Sequence, residues 1–388
     1  MFATLASFSS LFLSTLVMLI GVGLFNVYIG LRLSQDGVSE VWIGALMSAY
    51  YLGLVIGSRF GHRMIVRVGH VRAFAAAAAT CSVMVLVQTL VAEKEAWLLF
   101  RLIAGAAMAV QFMVLESWLN EQIENEHRGR VFSVYLVMSG LGVAIGQMAI
   151  TLYPELGLRP LILVAICHVV GLIPIVWTVR LHPAPQLPTP LDFGYFLRRA
   201  PAAILTMFVA GNISAAFYAL APVYVIGMQF STNVVAAFMS IAVVAGLMAQ
   251  WPMGWISDRV PRERLILLNG GVLTFATLLL WGWLPIPFWL LMSVAAISGV
   301  AQFTLYALAG SYANDLVAPD RRVGLSAVLL MSFGFGACIG PLLAGGLMRM
   351  TDVNMFYAFM TGCGLLLVAT ALYVGKANRK LMASNARE

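Results

Sequence analysis

The sequence predicts an all-α membrane protein with twelve transmembrane helices, arranged as two six-helix bundles related by a parallel pseudo-two-fold repeat. Its composition, its apolar runs and an internal repeat support this fold class. Of the 388 residues, 61% are hydrophobic and 10% are charged, whereas soluble domains have about 45–50% and about 25%. This composition excludes a soluble globular protein.

The apolar runs set the number of helices, because one helix needs about 20 residues to cross a bilayer. Charges, prolines and glycines separate the chain into twelve such runs. The first six are 11–33, 42–60, 71–91, 97–119, 131–153 and 160–179. The other six are 201–228, 234–256, 264–284, 287–309, 325–348 and 355–374. The first run is too long for a cleaved signal peptide, so we interpret it as a span.

The basic residues predict the orientation of these spans. Eighteen of the 23 lysines and arginines fall on the side of the two termini, four fall on the other side, and Arg101 lies inside a span. By the positive-inside rule, both termini are cytoplasmic. We therefore expect a multi-pass protein of the plasma membrane, the inner membrane of a bacterium.

One polar segment, 182–200, divides the chain, and its four prolines exclude a continuous helix. We predict an N-terminal six-helix bundle over residues 1–181, a cytoplasmic linker over 182–200 and a C-terminal bundle over 201–388 that ends in a short cytoplasmic tail. The basic end of the linker, 193–199, is either an amphipathic segment at the lipid surface or a plain tether.

The two halves align with each other at an offset of 194 residues. Gly105 aligns with Gly299, Arg128 with Arg322, and the segment SWLNE at 117–121 with SYAND at 311–315. Three further glycines keep this register, and these pairs are Gly140 with Gly334, Gly142 with Gly336, and Gly146 with Gly340. A parallel duplication places a cavity at the midplane, which rocking exposes to each side in turn. The repeat therefore predicts transport.

Other functions lack their characteristic residues in this sequence. The formal charge of +7 comes from residues scattered between apolar runs, so we expect no nucleic-acid partner. The four cysteines show no metal-ligand spacing, and no phosphate-binding loop, GxSxG elbow or HExxH motif occurs. We expect no enzyme, no cofactor and no metal.

Two loops resemble a family signature. The sequence GWISDR at 254–259, followed by Arg262 and Arg264, resembles the GxxxDRxGRR loop of the major facilitator superfamily, with Pro261 in place of a glycine. The loop after the second run keeps Arg67 but has Val66 at the acidic position. The chain thus resembles a transporter of this superfamily over its whole length, and its local signatures resemble the YcaD-like branch.

The resemblance and the repeat together predict a cytoplasmic gate. Loop arginines face carboxylates and carbonyl groups at the cytoplasmic helix ends, where Glu121 and Asp315 occupy matched positions. We predict that Arg67 pairs with Glu121, and Arg259 or Arg262 with Asp315, when this side closes. The predicted gate residues are Arg67, Glu121, Gly254, Asp258, Arg259, Arg262 and Asp315. The alternative is that these arginines only enforce orientation.

Two charged residues inside spans are candidates for proton coupling. Arg101 lies in a sequence that resembles the RxxxG motif, whose buried arginine is associated with proton coupling in the superfamily. An arginine at the centre of a span costs about 2.5–3.5 kcal/mol and normally faces a cavity or a partner, although it can also snorkel to the headgroups. Its repeat mate is Ala295, so the charge serves one half.

Glu116 is the acidic residue well inside a predicted span, and a carboxyl group there is a candidate proton carrier. It lies about 22 Å from Arg101 along the helix, at about 1.5 Å per residue, so the two do not pair directly. The alternative is that Glu116 belongs to the gate around Arg67, Arg128 or Arg130.

Two glycine clusters predict close helix packing. They consist of Gly142 and Gly146 in span five, and of Gly336, Gly340 and Pro341 in span eleven. The second cluster resembles the GxxxGP motif that drug and proton antiporters of the superfamily carry in span five. Here span five has Gln147 in place of the proline, so the motif supports antiport only in part.

The resemblance implies that spans one, four, seven and ten line the substrate cavity. Polar residues midway along these spans, with three from spans five and eleven, are predicted to line it. They are Asn26, Gln111, Tyr135, Ser139, Asn212, Tyr218, Gln302, Tyr306 and Ser332. Interhelical hydrogen bonding explains each of them equally well. We expect His168, in span six, to face lipid or to pack rather than to relay protons.

We predict a secondary active transporter that moves a small organic solute across the plasma membrane by alternating access, coupled to protons. Methionine-rich walls and the glycine motif favour export of amphipathic compounds over proton-coupled uptake of a small polar metabolite. An alternative of another class is a non-transporting membrane receptor or scaffold. The expected partners are a small-molecule substrate, protons and the lipid bilayer, and we expect a monomer.

Overall fold

The computed structural model describes residues 8–91, 93–121, 128–177, 193–283, 285–318 and 321–385. The side chains of 120–121, 128–130, 323 and 374–385 fall outside this description. Within the described residues the chain is helical, and no strand occurs. The fold class predicted from composition is therefore confirmed as all-α.

The helices follow the predicted apolar runs. The first half forms α1 (Ser9–Gln35), α2 (Glu40–Val68), α3 (His70–Leu90), α4 (Lys94–Glu121), α5 (Arg128–Ala149) and α6 (Arg159–Val176), with a 3₁₀ turn at Ile150–Leu152. The second half begins with a short helix, α7 (Phe193–Arg199). It continues with α8 (Pro201–Gly227), α9 (Thr232–Ser257), α10 (Arg262–Leu278), α11 (Phe288–Leu316), α12 (Arg322–Met350) and α13 (Met355–Asn385).

Eleven helices of the described residues are long and apolar enough to cross a membrane. The helix α10 is shorter, with 17 residues, and it ends at Leu278 instead of the predicted residue 284. The predicted end was wrong because the segment after it is not helical: Gly282 has a φ of 83°, and Pro285 and Pro287 follow. In contrast, α11 continues to Leu316, seven residues beyond the predicted run.

The described helices fall into two compact units. The first unit contains α1 to α6 together with residues 221–240, which include the end of α8 and the start of α9. The second unit contains α7, the rest of α8 and α9, and α10 to α13. Most of the predicted linker, 182–192, lies outside the described residues, so the domain boundaries stay a prediction.

Glycines bring helix backbones into direct contact within each unit. In the first unit, the Cα of Gly146 in α5 lies so close to the carbonyl oxygen of Ile20 in α1 that a Cβ would clash with it. In the second unit, Gly340 in α12 lies in the same way against the carbonyl oxygen of Asn212 in α8. Only glycine permits this approach, which lets the packed helices gain backbone contact.

A second pair of contacts repeats this pattern. Gly105 of α4 packs against the carbonyl oxygen of Tyr50 in α2, and Gly299 of α11 packs against that of Ala242 in α9. The two glycines are separated by the offset of 194 residues found in the sequence. The sequence repeat is therefore accompanied by equivalent helix contacts inside the two units.

Candidate functional site

Arg101 is buried inside the first unit, with 5% of its surface exposed. Its guanidinium carbon lies 4.6 Å from the ring centre of Phe25 in α1 and 4.4 Å from that of Tyr50 in α2. Its Nη2 donates a hydrogen bond of 3.5 Å to the sulfur of Met47. The side chain therefore does not snorkel, and aromatic faces hold the cation in place.

The guanidinium lacks an anionic partner in the part of the chain that the structure describes. Among those residues, none of the ion pairs includes Arg101. Its Nε is buried and has no hydrogen-bond partner there either. An intramembrane charge normally has a partner or faces water, so the space beside this group becomes important.

A small cavity lies beside Arg101. The centre of a water molecule can occupy about 20 Å³ of it. Its polar lining comes from Asn26 of α1, Tyr50 of α2, Arg101 of α4 and His168 of α6. His168 is 4% exposed, and its Nδ1 has no partner among the described residues. Of the two roles expected for His168, facing lipid or packing, its burial agrees with packing inside the first unit.

Glu116 lies further along α4, in different surroundings. Its side chain is exposed, and its carboxyl group shares a hydrogen bond with the hydroxyl group of Tyr135 in α5. Tyr135 is itself buried, and the hydroxyl of Ser139 donates to the Tyr135 backbone carbonyl at 2.8 Å. The structure thus brings together a predicted proton carrier and two predicted cavity residues.

Two ion pairs between predicted gate residues occur in the described part of the second unit, and Arg262 takes part in both. Nη1 of Arg262 contacts the carboxylate of Asp315, and Nη2 lies 3.7 Å from a carboxylate oxygen of Asp258. Arg259 instead places its guanidinium 3.8 Å from the ring centre of Trp255. Of the two arginines proposed as partners of Asp315, Arg262 makes the contact. That this ion pair forms and breaks during the transport cycle stays a prediction.

The other gate residues are less defined. Arg67 is exposed near the end of α2, and the side chain of Glu121 lies outside the described residues, so their predicted pair is not tested. Gly254 faces open space, since a Cβ there would meet nothing within 4 Å. Sequence reasoning missed His70, which is buried and whose Nε2 lies 3.0 Å from the hydroxyl oxygen of Ser117 on α4.

Three predicted cavity residues take part in, or lie within, helix packing. Gln111 is fully buried and donates from Nε2 to the sulfur of Cys81 at 3.2 Å. Asn212 donates to the carbonyl oxygen of Phe208, one turn earlier in its own helix, at 2.9 Å. Gln302 is 1% exposed, and neither atom of its amide has a hydrogen-bond partner among the described residues.

The remaining predicted cavity residues lie in aromatic and apolar surroundings of the second unit. Tyr306 is 45% exposed and packs edge-to-face on Phe333, with 5.5 Å between ring centres. Tyr218 lies 6.1 Å from Phe303 by the same measure. Ser332 lines an apolar groove of about 430 Å³. The other residues of this groove are Leu197, Pro201, Ile204, Leu205, Phe208, Phe335 and Ile339.

These features define a multi-pass α-helical membrane protein with ionisable groups inside its helical units. The sequence model of the Major Facilitator Superfamily matches residues 11–286 and 252–388. The chain belongs to this superfamily, and it is a transporter rather than an enzyme.

Two relatives of similar length carry the same description. An uncharacterized MFS-type transporter of Yersinia pestis (strain Pestoides F) is 25% identical over 354 residues, which cover 89% of this chain and 90% of the relative. The uncharacterized MFS-type transporter YcaD of Salmonella newport (strain SL254) is 25% identical over 345 residues, with 88% and 89% covered. The resemblance to the YcaD-like branch is therefore confirmed.

Two solved structures share the fold. The crystal structure of the nucleoside transporter NupG superposes with a TM-score of 0.81 at 15% identity, over 95% of this chain and 99% of that one. A bacterial homolog of the human lysosomal transporter Spinster, in an inward-facing and unoccupied conformation, gives a TM-score of 0.72 at 14% identity over 97% of both chains. At these identities the likeness concerns the fold alone.

Proposed function

We propose that this transporter moves a small organic solute across the plasma membrane by alternating access and couples the movement to protons. The observation that carries the proposal is the carboxyl group of Glu116, which is hydrogen-bonded to Tyr135 inside a membrane-crossing helix. A carboxyl group at this depth is costly in lipid and normally faces a water-filled path. A carboxyl group with a hydroxyl partner inside a span is suited to take up and release a proton.

Alternating access is supported by the equivalent helix contacts of the two units. The Gly105 and Gly299 contacts, and those of Gly146 and Gly340, occur at matched positions of the sequence repeat. Parallel repeats of this kind carry the substrate site near the midplane of the bilayer and rock about it. We count α10 as the ninth of twelve spans, with both termini in the cytoplasm and with the linker at 182–200.

The proton gradient supplies sufficient energy. A membrane potential of about 100 mV is worth about 2.3 kcal/mol per elementary charge. This free energy corresponds to roughly fifty-fold accumulation or expulsion of a solute per proton. No second energy source is required.

Export of amphipathic compounds is the direction and substrate class that we propose first. The apolar groove of about 430 Å³ in the second unit, with Ser332 on its wall, offers a surface for an amphipathic molecule. The partly exposed ring of Tyr306 adds an aromatic face with a polar end.

Proton-coupled uptake of a small polar metabolite is the second candidate. The amide of Gln302 is buried and both its atoms lack hydrogen-bond partners among the described residues, which favours a polar ligand. The similar fold of NupG, a nucleoside transporter, makes nucleosides the first polar solutes to assay.

Proteoliposomes that contain a pH-sensitive dye test the proposal. Amphipathic cations and nucleosides are added on either side of the membrane, with and without an imposed pH gradient. We expect wild type to move protons with one solute class and Glu116→Gln to lose at least about 90% of that proton flux, a tenfold loss worth about 1.4 kcal/mol. Glu155→Gln, in an exposed position outside the helices, is the matched control.

The outcome also separates the classes of function. Solute movement that is equal without a gradient and in Glu116→Gln contradicts proton coupling but leaves the transporter in place. Transport of neither solute class, together with binding of one of them, favours a receptor. The side of the membrane on which added solute produces the dye response distinguishes export from uptake.

A further inference from the structure

The guanidinium of Arg101 is a buried cation without an anion. The acidic residues of its own helix are remote, since Glu95, Glu116 and Glu121 lie about 9, 22 and 30 Å away along the axis of α4. In the described residues no carboxylate pairs with Arg101 from any other helix. The positive charge is therefore not balanced by this part of the protein.

The aromatic contacts offset only part of the free-energy cost of burying the charge of Arg101. The rings of Phe25 and Tyr50 attract the cation, but a cation–π contact is weaker than the desolvation of a charged group. The sulfur of Met47 is a weak acceptor. Because a guanidinium has five N–H donors and Nε has no partner among the described residues, its hydrogen-bonding capacity is not fully used.

The cavity beside Arg101 has the size and the donors for a small anion. About 20 Å³ is open to the centre of a water molecule, which is enough for one water or for an ion only slightly larger. Asn26 and His168 also line it, and both side chains offer N–H donors. His168 is more than nine-tenths buried with Nδ1 unpartnered in the described part of the chain.

We propose that this cavity is a halide site, in which one chloride ion binds between Arg101, His168 and Asn26. The ion neutralises the guanidinium and accepts hydrogen bonds from the side chains around it, of which Arg101 Nε and His168 Nδ1 have no other partner among the described residues. Because α1, α4 and α6 each supply one of these side chains, the ion also links three helices of the first unit. This proposal goes beyond the proposed function, and it does not depend on the transported solute.

Thermal unfolding of the purified full-length protein provides the first test. Intrinsic fluorescence of the nine tryptophans is followed in detergent with sodium chloride, bromide, iodide or gluconate at one fixed ionic strength. We expect Tm to rise saturably by roughly 2 °C or more in chloride relative to gluconate, because a ligand that binds only the folded state stabilises it. Bromide acts similarly, and iodide acts less because of the small cavity.

Variants of the lining residues locate the effect. Asn26→Leu and His168→Phe are expected to reduce the chloride-dependent shift in Tm by at least half, and Arg101→Lys to weaken it while keeping the charge. Arg349→Gln, at an exposed arginine near the end of α12, is the matched control and is expected to retain the full shift.

Equilibrium binding of radioactive chloride to wild type provides a second readout that needs no variant. We expect saturable binding of about one chloride per chain, displaced by bromide but not by gluconate. Absence of saturable binding in wild type overturns the proposal and indicates that the cavity holds water. A shift in Tm that is the same in wild type and in both Asn26→Leu and His168→Phe also overturns it.

Discussion

Two ionisable residues of one helix lie in contrasting surroundings. Arg101 is buried against the rings of Phe25 and Tyr50, whereas the Glu116 residue is exposed and shares a hydrogen bond with Tyr135. They lie about 22 Å apart along α4, so neither neutralises the other. We infer that they have separate tasks, proton exchange for Glu116 and electrostatic organisation of the first unit for Arg101.

Substitution of Tyr135 tests the first task. Tyr135→Phe removes the hydroxyl partner of Glu116 and keeps the ring that packs in α5. A hydrogen bond to a charged group is worth about 1.5 kcal/mol, so we expect roughly a tenfold lower rate of proton-coupled transport. The rate is measured in proteoliposomes, with Tyr153→Phe in the loop after α5 as the control. An unchanged rate contradicts a role for this hydrogen bond.

The ion pair of Arg262 and Asp315 is tested by charge reversal. Their side chains are 20% and 53% exposed, so the pair is worth about 1 kcal/mol or less. We expect Asp315→Arg to slow transport up to about fivefold, and the double variant with Arg262→Asp to recover at least half of the loss. Asp352→Arg, at an exposed position before α13, is the control. Failure of the double variant to recover contradicts a gate that depends on this pair.

At the scale of elements, the packing of helices depends on backbone contact at glycine. A methyl group at Gly340 would clash with the backbone of Asn212, whereas a methyl group at Gly346 of the same helix would meet nothing within 4 Å. The helix α12 therefore offers both a sensitive and a tolerant glycine. The apolar character of the helix gives no indication of which glycine is which.

We expect Gly340→Ala to destabilise the protein by about 1–3 kcal/mol, because α8 and α12 must separate to accommodate the methyl group. The change is measured as a lower unfolding temperature of the purified protein. Gly346→Ala is expected to be neutral or slightly stabilising, since alanine favours the helix. Equal effects of the two substitutions contradict the contact with α8.

The short helix α10 is attached to α13 by polar and close contacts. The hydroxyl groups of Thr277 and Thr361 lie 2.8 Å apart, and Nε1 of Trp281 donates to Thr361 at 3.0 Å. A Cβ at Gly270 would lie 2.9 Å from the Cβ of Leu367. Interhelical hydrogen bonds and small residues stabilise helix packing in lipid. These contacts hold the 17-residue helix α10 against α13.

At the scale of the whole molecule, the decisive quantity is the number of membrane crossings. Reporter fusions on the two sides of α10 test whether it is the ninth crossing. We expect a fluorescent protein fused after residue 260 to be active, because the proposed orientation places this loop in the cytoplasm, and alkaline phosphatase fused after residue 286 to be active on the opposite side. Phosphatase fused after residue 388 is expected to be inactive. Activity of that fusion contradicts an even number of spans.

Much of the fold follows from the sequence because lipid imposes a simple requirement. Backbone groups in the hydrocarbon layer need internal hydrogen bonds, so each long apolar run becomes a helix. The segment 264–284 forms a shorter helix than predicted, since a glycine near its end and two prolines just after it interrupt the helix while the run stays apolar. Hydrophobicity alone does not register such an interruption.

The candidate site was predictable only where charge interrupts an apolar run. Arg101 and Glu116 stand out in α4 for this reason. His168 does not, because α6 is apolar on all sides, so that hydrophobicity alone does not indicate which of its faces is buried. The sequence did not decide whether Arg259 or Arg262 pairs with Asp315, since both arginines lie close together in sequence. Only the direction of each side chain in the structure distinguishes them.

The sequence by itself determined that this chain is a membrane transporter of helical spans, and where its charges enter the membrane. Both properties follow from the free energy of transferring individual residues into lipid, which is additive along the chain. The tertiary structure decided which buried groups meet: Arg101 with two aromatic rings, His168 with the same cavity, and Glu116 with Tyr135. These contacts depend on the rotation and spacing of neighbouring helices, which packing sets in three dimensions.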